Sequence, residues 1–244
     1  MISTVITSER HGAVAVVTID RHERRNALDL EHLDALHDAL QAAVGEGGAR
    51  CVVLTGAGSA FCAGADLDAV YGTAFREALA RTLRALTEVA VPVVAAVNGP
   101  AVGAGTQLAI ACDLRVVAPR ARFAVPTARN ALAVDPWTVR RLAEVAGGGP
   151  ARALLLGVDT VDAERALGVG LADRAGGLDV ALAWAAEIAT LAPLSLAYAK
   201  LALGADAASA ADVDRAFARC WASADLEEYR AARRDGRDPV YTGR

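Results

Sequence analysis

Apolar residues along the chain fall into two alternating rhythms. The β-branched run Val14-Ala15-Val16-Val17-Thr18-Ile19 predicts a buried strand, closed by the charged stretch Asp20–Arg25. From Asp29 onward Leu30, Leu33, Leu36, Leu40 and Val44 recur at helical spacing and stop at Gly45, which predicts a helix. Cys51–Leu54 reads as a second buried strand, stopped by Thr55-Gly56-Ala57-Gly58. Leu79, Leu83, Leu86 and Val89 predict a helix leading to Pro92; Val93–Val97 predicts a strand and Asn98-Gly99-Pro100 a turn. A helix is expected over Gly103–Cys112, with short strands at Leu114–Val117 and Phe123–Val125. Beyond about residue 137 the rhythm becomes helix after helix, rich in Ala, Leu and Arg, with breaks at Gly147–Pro150, Gly168–Gly170, Gly176-Gly177 and Pro193. Strand–strand–helix units followed by a helical last third predict an α/β fold whose tail packs against a partner subunit.

Composition narrows the chemistry. The 244 residues are 54% hydrophobic, enough for a sizeable core and too apolar for disorder. The net charge of −4 argues against a nucleic-acid surface. Lysine occurs once, at Lys200, outside any glycine frame, so a Walker-type phosphate loop is excluded. All four histidines (His11, His22, His32, His37) precede residue 38, and any histidine chemistry must come from there. Cys51, Cys62, Cys112 and Cys220 form no CxxC pair and have no histidine at ligand spacing, so no metal site is expected and the thiols read as free and buried. The first ten residues lack an apolar signal-peptide core. The uncharged run from Val89 to Cys112 is interrupted by Pro92, Asn98, Gly99, Pro100 and Gln107, which fits strand, turn and helix better than a membrane span.

Two glycine-rich stretches carry the candidate chemistry. One is Ser59-Ala60-Phe61-Cys62-Ala63-Gly64-Ala65-Asp66-Leu67, after a strand; the other is Asn98-Gly99-Pro100-Ala101-Val102-Gly103-Ala104-Gly105-Thr106-Gln107-Leu108, a strand–turn–helix. Neither completes a GxGxxG fingerprint, because Leu108 and Phe61 fall where the third glycine belongs. Small residues let a backbone approach something closely, and a helix start offers unpaired N–H groups. Two such N–H groups on one oxygen make an oxyanion hole; two glycine turns in a packed protein are the plainer alternative.

Together the segments "FCAGADL", "PVVAAVNGPAVGAG" and "LAIACDLRVVAPRARFAVP", with "RRNALDL" near the start and "DPVYTGR" at the end, resemble the enoyl-CoA hydratase/isomerase (crotonase) family. The resemblance runs over nearly the whole chain and is nearest to mycobacterial-type members lacking the two catalytic glutamates. It implies a crotonase-like spiral of ββα units over residues 1–190 that binds an acyl-CoA thioester. Residues 191–244 would be a helical oligomerisation region, giving a homotrimer or a dimer of trimers. No cofactor is implied beyond coenzyme A as part of the ligand. Carried over by motif, the oxyanion donors are the N–H groups of Ala65 and Ala104. Ala63, Gly64, Asp66, Leu67 and Asp68 would border the coenzyme, with Gly103, Gln107 and Thr127 also contacting the ligand.

The same resemblance raises a difficulty. Hydration of an enoyl thioester uses two carboxyl groups, one to activate water and one to protonate carbon. The matching positions here are Gln107 and Thr127. Neither an amide nor a threonine hydroxyl serves as a general base at neutral pH. One acid remains in reach, Asp135 of Ala133-Val134-Asp135-Pro136-Trp137-Thr138, where some family isomerases and a dehalogenating member hold a functional carboxylate. Asp followed by Pro is also a standard helix start, so Asp135 can be a cap, a catalyst or both. Asp66 and Asp113 read as backbone organisers, and a serine-hydrolase triad lacks a histidine in the right region. Arg233, Arg234, Arg237 and Arg244 form a basic tail, either solvated or set against coenzyme phosphates. Two readings follow: a cytoplasmic acyl-CoA-binding protein of lipid metabolism without efficient turnover, or an enoyl-CoA isomerase or weak hydratase using Asp135.

Overall fold

The computed structural model describes residues 6–66, 72–204 and 209–244. Its centre is a six-stranded sheet in the order β1-β2-β3-β4-β6-β9. The strands are β1 (Ile6–His11), β2 (Val14–Ile19), β3 (Cys51–Gly56), β4 (Val93–Val97), β6 (Leu114–Val117) and β9 (Arg174–Ala175). Only the β1–β2 hairpin is antiparallel; the other pairings are parallel. Parallel sheets are covered on both faces, which is why these strands read as continuous apolar runs. Ala15, Val17, Val52, Leu54, Val93 and Ala95 face one core, while Val14, Val16, Cys51, Val53, Val94 and Ala96 face another.

The first core is closed by α1 (Leu30–Val44), α2 (Thr73–Glu88) and α3 (Ala104–Ala111). Leu33, Leu36 and Leu40 of α1 are fully buried, each such side chain contributing ~1.5–3 kcal/mol. The second core is covered by α7 (Leu178–Ala189), through Ala181, Ala185 and Ile188. A smaller sheet, β5-β7-β8, joins Pro100–Val102, Arg122–Ala124 and Thr160–Asp162. A 3-10 turn, Pro126–Asn130, follows β7 and leads to α4 (Pro136–Ala146), α5 (Gly148–Leu155) and α6 (Ala163–Gly168).

The region after residue 137 is not wholly helical. The short strands β8 and β9 lie within it, because three- and two-residue pairings leave no periodic signature and form only where a partner edge is waiting. The Asn98-Gly99-Pro100 turn likewise runs straight into β5.

At the C-terminal end α8 (Pro193–Leu203) is held to the core by the single lysine. Lys200 Nζ donates to Leu86 O at 2.8 Å, Val91 O at 3.1 Å and Asp113 Oδ2 at 2.7 Å. The same Asp113 oxygen accepts from Val93 N at 2.7 Å, so Asp113 ties β4, the start of β6 and α8 together. The next helix, α9 (Ala210–Trp221), buries none of its residues and stacks on α8 through Tyr198, Phe217 and Trp221. The last, α10 (Ala224–Asp235), anchors the terminal segment: Asp225 is buried and accepts from Thr242 N and Gly243 N. Among the described residues no single helix is long and apolar enough to cross a membrane.

Candidate active site

Both glycine-rich stretches meet at the ends of β3 and β4. Asn26, fully buried, donates from Nδ2 to Ala57 O at 3.0 Å and Ala60 O at 2.8 Å, holding the turn after β3. From there residues 61–66 thread between two other backbone segments. Cys62 bridges Ala101, with Val102 N donating to Cys62 O at 2.9 Å. Leu28 bridges Ala65, with Leu28 N donating to Gly64 O at 2.8 Å and Asp66 N donating to Leu28 O at 2.7 Å. That pairing uses the groups on either side of Ala65 and leaves its own N–H directed away from Leu28.

Two glycines make this approach possible. A Cβ at Gly105 would lie 2.1 Å from Cys62 O, and one at Gly64 would lie 2.8 Å from Val102 O and 3.9 Å from Ala104 N. Gly64 also has φ +107°, a region that other L-residues rarely enter. The backbone carrying Ala65 therefore runs beside the start of α3. Ala104 is the first residue of that helix, where N–H groups have no intrahelical acceptor. Gly103 precedes it, donating to Ala124 O at 2.8 Å and accepting from Gln107 N at 3.0 Å. Among the described residues neither the Ala65 nor the Ala104 N–H has a hydrogen-bond acceptor. Ala63 N is spent on Arg25 O at 2.9 Å. Asp66 pairs with Arg21 Nη1 at 3.2 Å. Leu67 and Asp68 lie outside the described residues.

Gln107, buried on the first turn of α3, forms a polar knot with the start of α4. Its Nε2 donates to Asp135 Oδ2 at 3.0 Å and to Thr138 Oγ1 at 2.7 Å. The Thr138 hydroxyl donates to Asp135 Oδ2 at 2.6 Å, and Thr138 N donates to Asp135 Oδ1 at 3.1 Å. Asp135 is therefore the N-cap of α4, with Pro136 in the first turn. Both its oxygens accept hydrogen bonds. Thr127 sits half-buried in the turn after β7, the strand whose Ala124 O accepts from Gly103 N and from Thr106 Oγ1.

Burial pushes the thiols of Cys51, Cys62 and Cys112 up to about 12, so none is a thiolate near neutrality. Of the basic tail, Arg237 is engaged by Glu228 through two nitrogens, at 2.6 and 2.9 Å. That hydrogen bonding holds the Glu228 carboxyl down at about 2. Arg233 and Arg234 line a shallow surface depression with Leu226, Tyr229 and Arg230.

Residues overlooked in the sequence are Asn26, Thr138 and His32. Asn26 stands inside the "RRNALDL" segment, and Thr138 three residues after a helix cap, so both had a local signal. His32 had none: it is 5% exposed, beside Asp29, in the first turn of α1.

The β-β-α units thus bring the two glycine-rich stretches side by side, with the backbone of Ala65 running next to the start of α3. The enoyl-CoA hydratase/isomerase family profile matches residues 9–225, and the chain belongs to that family. It is 45% identical over 239 residues to the probable enoyl-CoA hydratase echA6 of Mycobacterium tuberculosis, covering 95% of this chain and 96% of that one. It is 30% identical to a short-chain-enoyl-CoA hydratase of Clostridium acetobutylicum, over 90% of each chain. Its fold resembles an enoyl-CoA hydratase/carnithine racemase from Magnetospirillum magneticum, with a TM-score of 0.89 and 31% identity over 98% of this chain and 96% of that one. An enoyl-CoA hydratase from Bacillus anthracis gives a TM-score of 0.86 at 29% identity over 98% and 100%.

Proposed function

We propose that this chain binds acyl-CoA thioesters in lipid metabolism and holds them without efficient hydration. The thioester oxygen sits between the N–H groups of Ala65 and Ala104, with Ala63, Gly64, Asp66, Leu67 and Asp68 along the coenzyme and Gly103, Gln107 and Thr127 around the acyl carbonyl. The observation that carries this reading is the Gln107–Thr138–Asp135 knot. Gln107 and Thr127 stand where the family's hydratases use carboxyl groups, and the one acid in reach is tied up as a helix cap with donors on both oxygens. Each positioned acid–base group contributes ~10²–10⁴-fold, so a site lacking both keeps binding and loses turnover.

Residues 1–190 form the ligand-binding core in this reading and 191–244 the oligomerisation region. The exposed Phe217 and Trp221 on α9 support a trimer or a dimer of trimers. A cytoplasmic location accords with free, buried thiols. With Arg237 engaged by Glu228, Arg233, Arg234 and Arg244 are the tail residues left to meet coenzyme phosphates.

The second reading, an enoyl-CoA isomerase or weak hydratase through Asp135, is favoured by the closeness of that carboxylate to Gln107. Offering purified protein trans-2-enoyl-, 3-enoyl- and saturated acyl-CoA, with binding and product both followed, separates the two. Binding without product is the expected result. Isomerisation abolished in Asp135→Asn establishes the second reading, and efficient hydration of the 2-enoyl thioester refutes the first.

A further inference from the structure

A chain of hydrogen-bonded groups runs from a cation to the amide of Ala65. The Arg21 side chain is 18% exposed, and its Nη1 donates to Ala27 O at 3.1 Å. The peptide that carries Ala27 O also carries the Leu28 N–H, which donates to Gly64 O at 2.8 Å. The peptide that carries Gly64 O in turn carries the Ala65 N–H. Both peptides are trans, so in each the carbonyl and the N–H point in opposite directions and every link hands its direction to the next. The guanidinium stands at the head of the chain and the Ala65 N–H at its tail. Two carboxylates keep the head in place: Asp66 Oδ2 lies 3.2 Å from Nη1 and Asp29 Oδ2 lies 3.5 Å from it. Burial works to raise the Asp29 carboxyl, but the bonds from His32 and the charge of Arg21 outweigh it and hold it below the usual carboxylate range. The Arg21 backbone is fixed as well, its N–H donating to Asn26 Oδ1 and its carbonyl accepting from Asn26 N, both at 2.9 Å.

Resting on the acyl-CoA reading above, we infer that Arg21 is a positioning residue for the thioester carbonyl: through the Ala27–Leu28 and Gly64–Ala65 peptides it aims the Ala65 N–H and polarises it toward the thioester oxygen. Arg21 touches no ligand in this role. A cation donating to Ala27 O draws electron density along both peptides and makes the last N–H a better donor, because hydrogen bonds in a chain strengthen one another. Loss of the guanidinium also leaves the Asp29 and Asp66 carboxylates close together without a counter-charge. Their repulsion then acts on the residue directly after Ala65, whose N–H is held by Leu28 O at 2.7 Å.

The test compares palmitoyl-CoA with S-hexadecyl-CoA, a thioether that has no carbonyl oxygen, on the full chain as wild type, Arg21→Gln, Arg21→Lys and Arg21→Gln with Asp29→Asn. One neutral hydrogen bond is worth about fivefold in affinity, so Arg21→Gln is expected to weaken palmitoyl-CoA binding by about that factor and to leave the thioether unchanged. Arg21→Lys keeps the charge and loses less. Asp29→Asn keeps a good helix cap, removes the repulsion and recovers part of the loss. Infrared difference spectra with an isotope-labelled thioester carbonyl read the donor itself: the bound C=O band lies below its solution frequency in the wild type and moves back toward it in Arg21→Gln. Equal weakening of both ligands, or a carbonyl band that does not move, overturns the inference. Should Arg21→Gln fail to fold, Arg21→Lys carries the same comparison. If the wild type binds neither ligand, the acyl-CoA reading itself falls. If it binds the thioester with the carbonyl band at its solution frequency, the oxyanion donors fall, and the role of Arg21 with them.

Discussion

Replacing Gln107 with glutamate tests the knot at the heart of the site. The wild-type amide gives one hydrogen to Asp135 Oδ2 at 3.0 Å and one to Thr138 Oγ1 at 2.7 Å. The ionised carboxylate of the Gln107→Glu variant has neither donor and sets a second negative charge in place of one of them. Two charges 4 Å apart at an effective dielectric of 20 repel by about 4 kcal/mol, which the exposure of Asp135 cuts to roughly half. Thr138 has a single hydroxyl proton and can serve only one of the two carboxylates. The variant is therefore expected to be about 2–3 kcal/mol less stable at pH 7.5, a fall of roughly 8 °C in Tm for a chain of this size. The pH dependence follows from the raised folded-state pKa of the carboxyl pair. Below the unfolded carboxyl value, near 4, both states hold the proton and the penalty vanishes; it grows as the pH rises and is complete above the raised value. Urea denaturation of both proteins at pH 7.5 and pH 4.5 reads this directly. A gap that does not shrink at pH 4.5, or one below about 0.5 kcal/mol at pH 7.5, refutes the reasoning from charge and hydrogen bonding.

Further outcomes follow from the same geometry. Lys200→Met leaves Asp113 without its buried partner and is expected to cost about 3 kcal/mol in chemical denaturation. Gly64→Ala puts a methyl 2.8 Å from Val102 O at a strained φ, so acyl-CoA affinity measured by calorimetry should fall at least tenfold, about 1.4 kcal/mol. The double variant Gln107→Glu with Thr127→Glu is expected to show slight hydration of crotonyl-CoA, followed by loss of the enoyl absorbance; no hydration removes those two positions from the account. Native protein treated with iodoacetamide at pH 8 should be alkylated at the half-buried Cys220 and spared at Cys51, Cys62 and Cys112, whose thiols are pushed up to about 12. Peptide mass mapping checks each site.

Local pattern was enough for much of the scaffold. The run Val14–Ile19, the leucine-periodic helix between Asp29 and Gly45, and the Gly103–Cys112 helix start and stop within a residue of their expected bounds, because strand and helix periods and their stop signals are properties of neighbouring residues. Asp135-Pro136 was legible as a helix start for the same reason. Closeness in space was not legible. Gln107 and Thr138 are 31 positions apart, and only the packing of α3 on α4 turns a glutamine and a cap into one hydrogen-bonded knot. The strands β8 and β9 need a partner edge before they exist at all. The sequence by itself determined the family and the strand and helix rhythm. Tertiary structure alone decided that Asp135 is bound on both oxygens, that the single lysine is a buried clamp on Asp113, and that the buried His32 Nε2 has no partner among the described residues. The physical reason is common to all three: a hydrogen bond is set by distance and direction between groups that the chain alone does not bring together, and those exist only once the layers have packed.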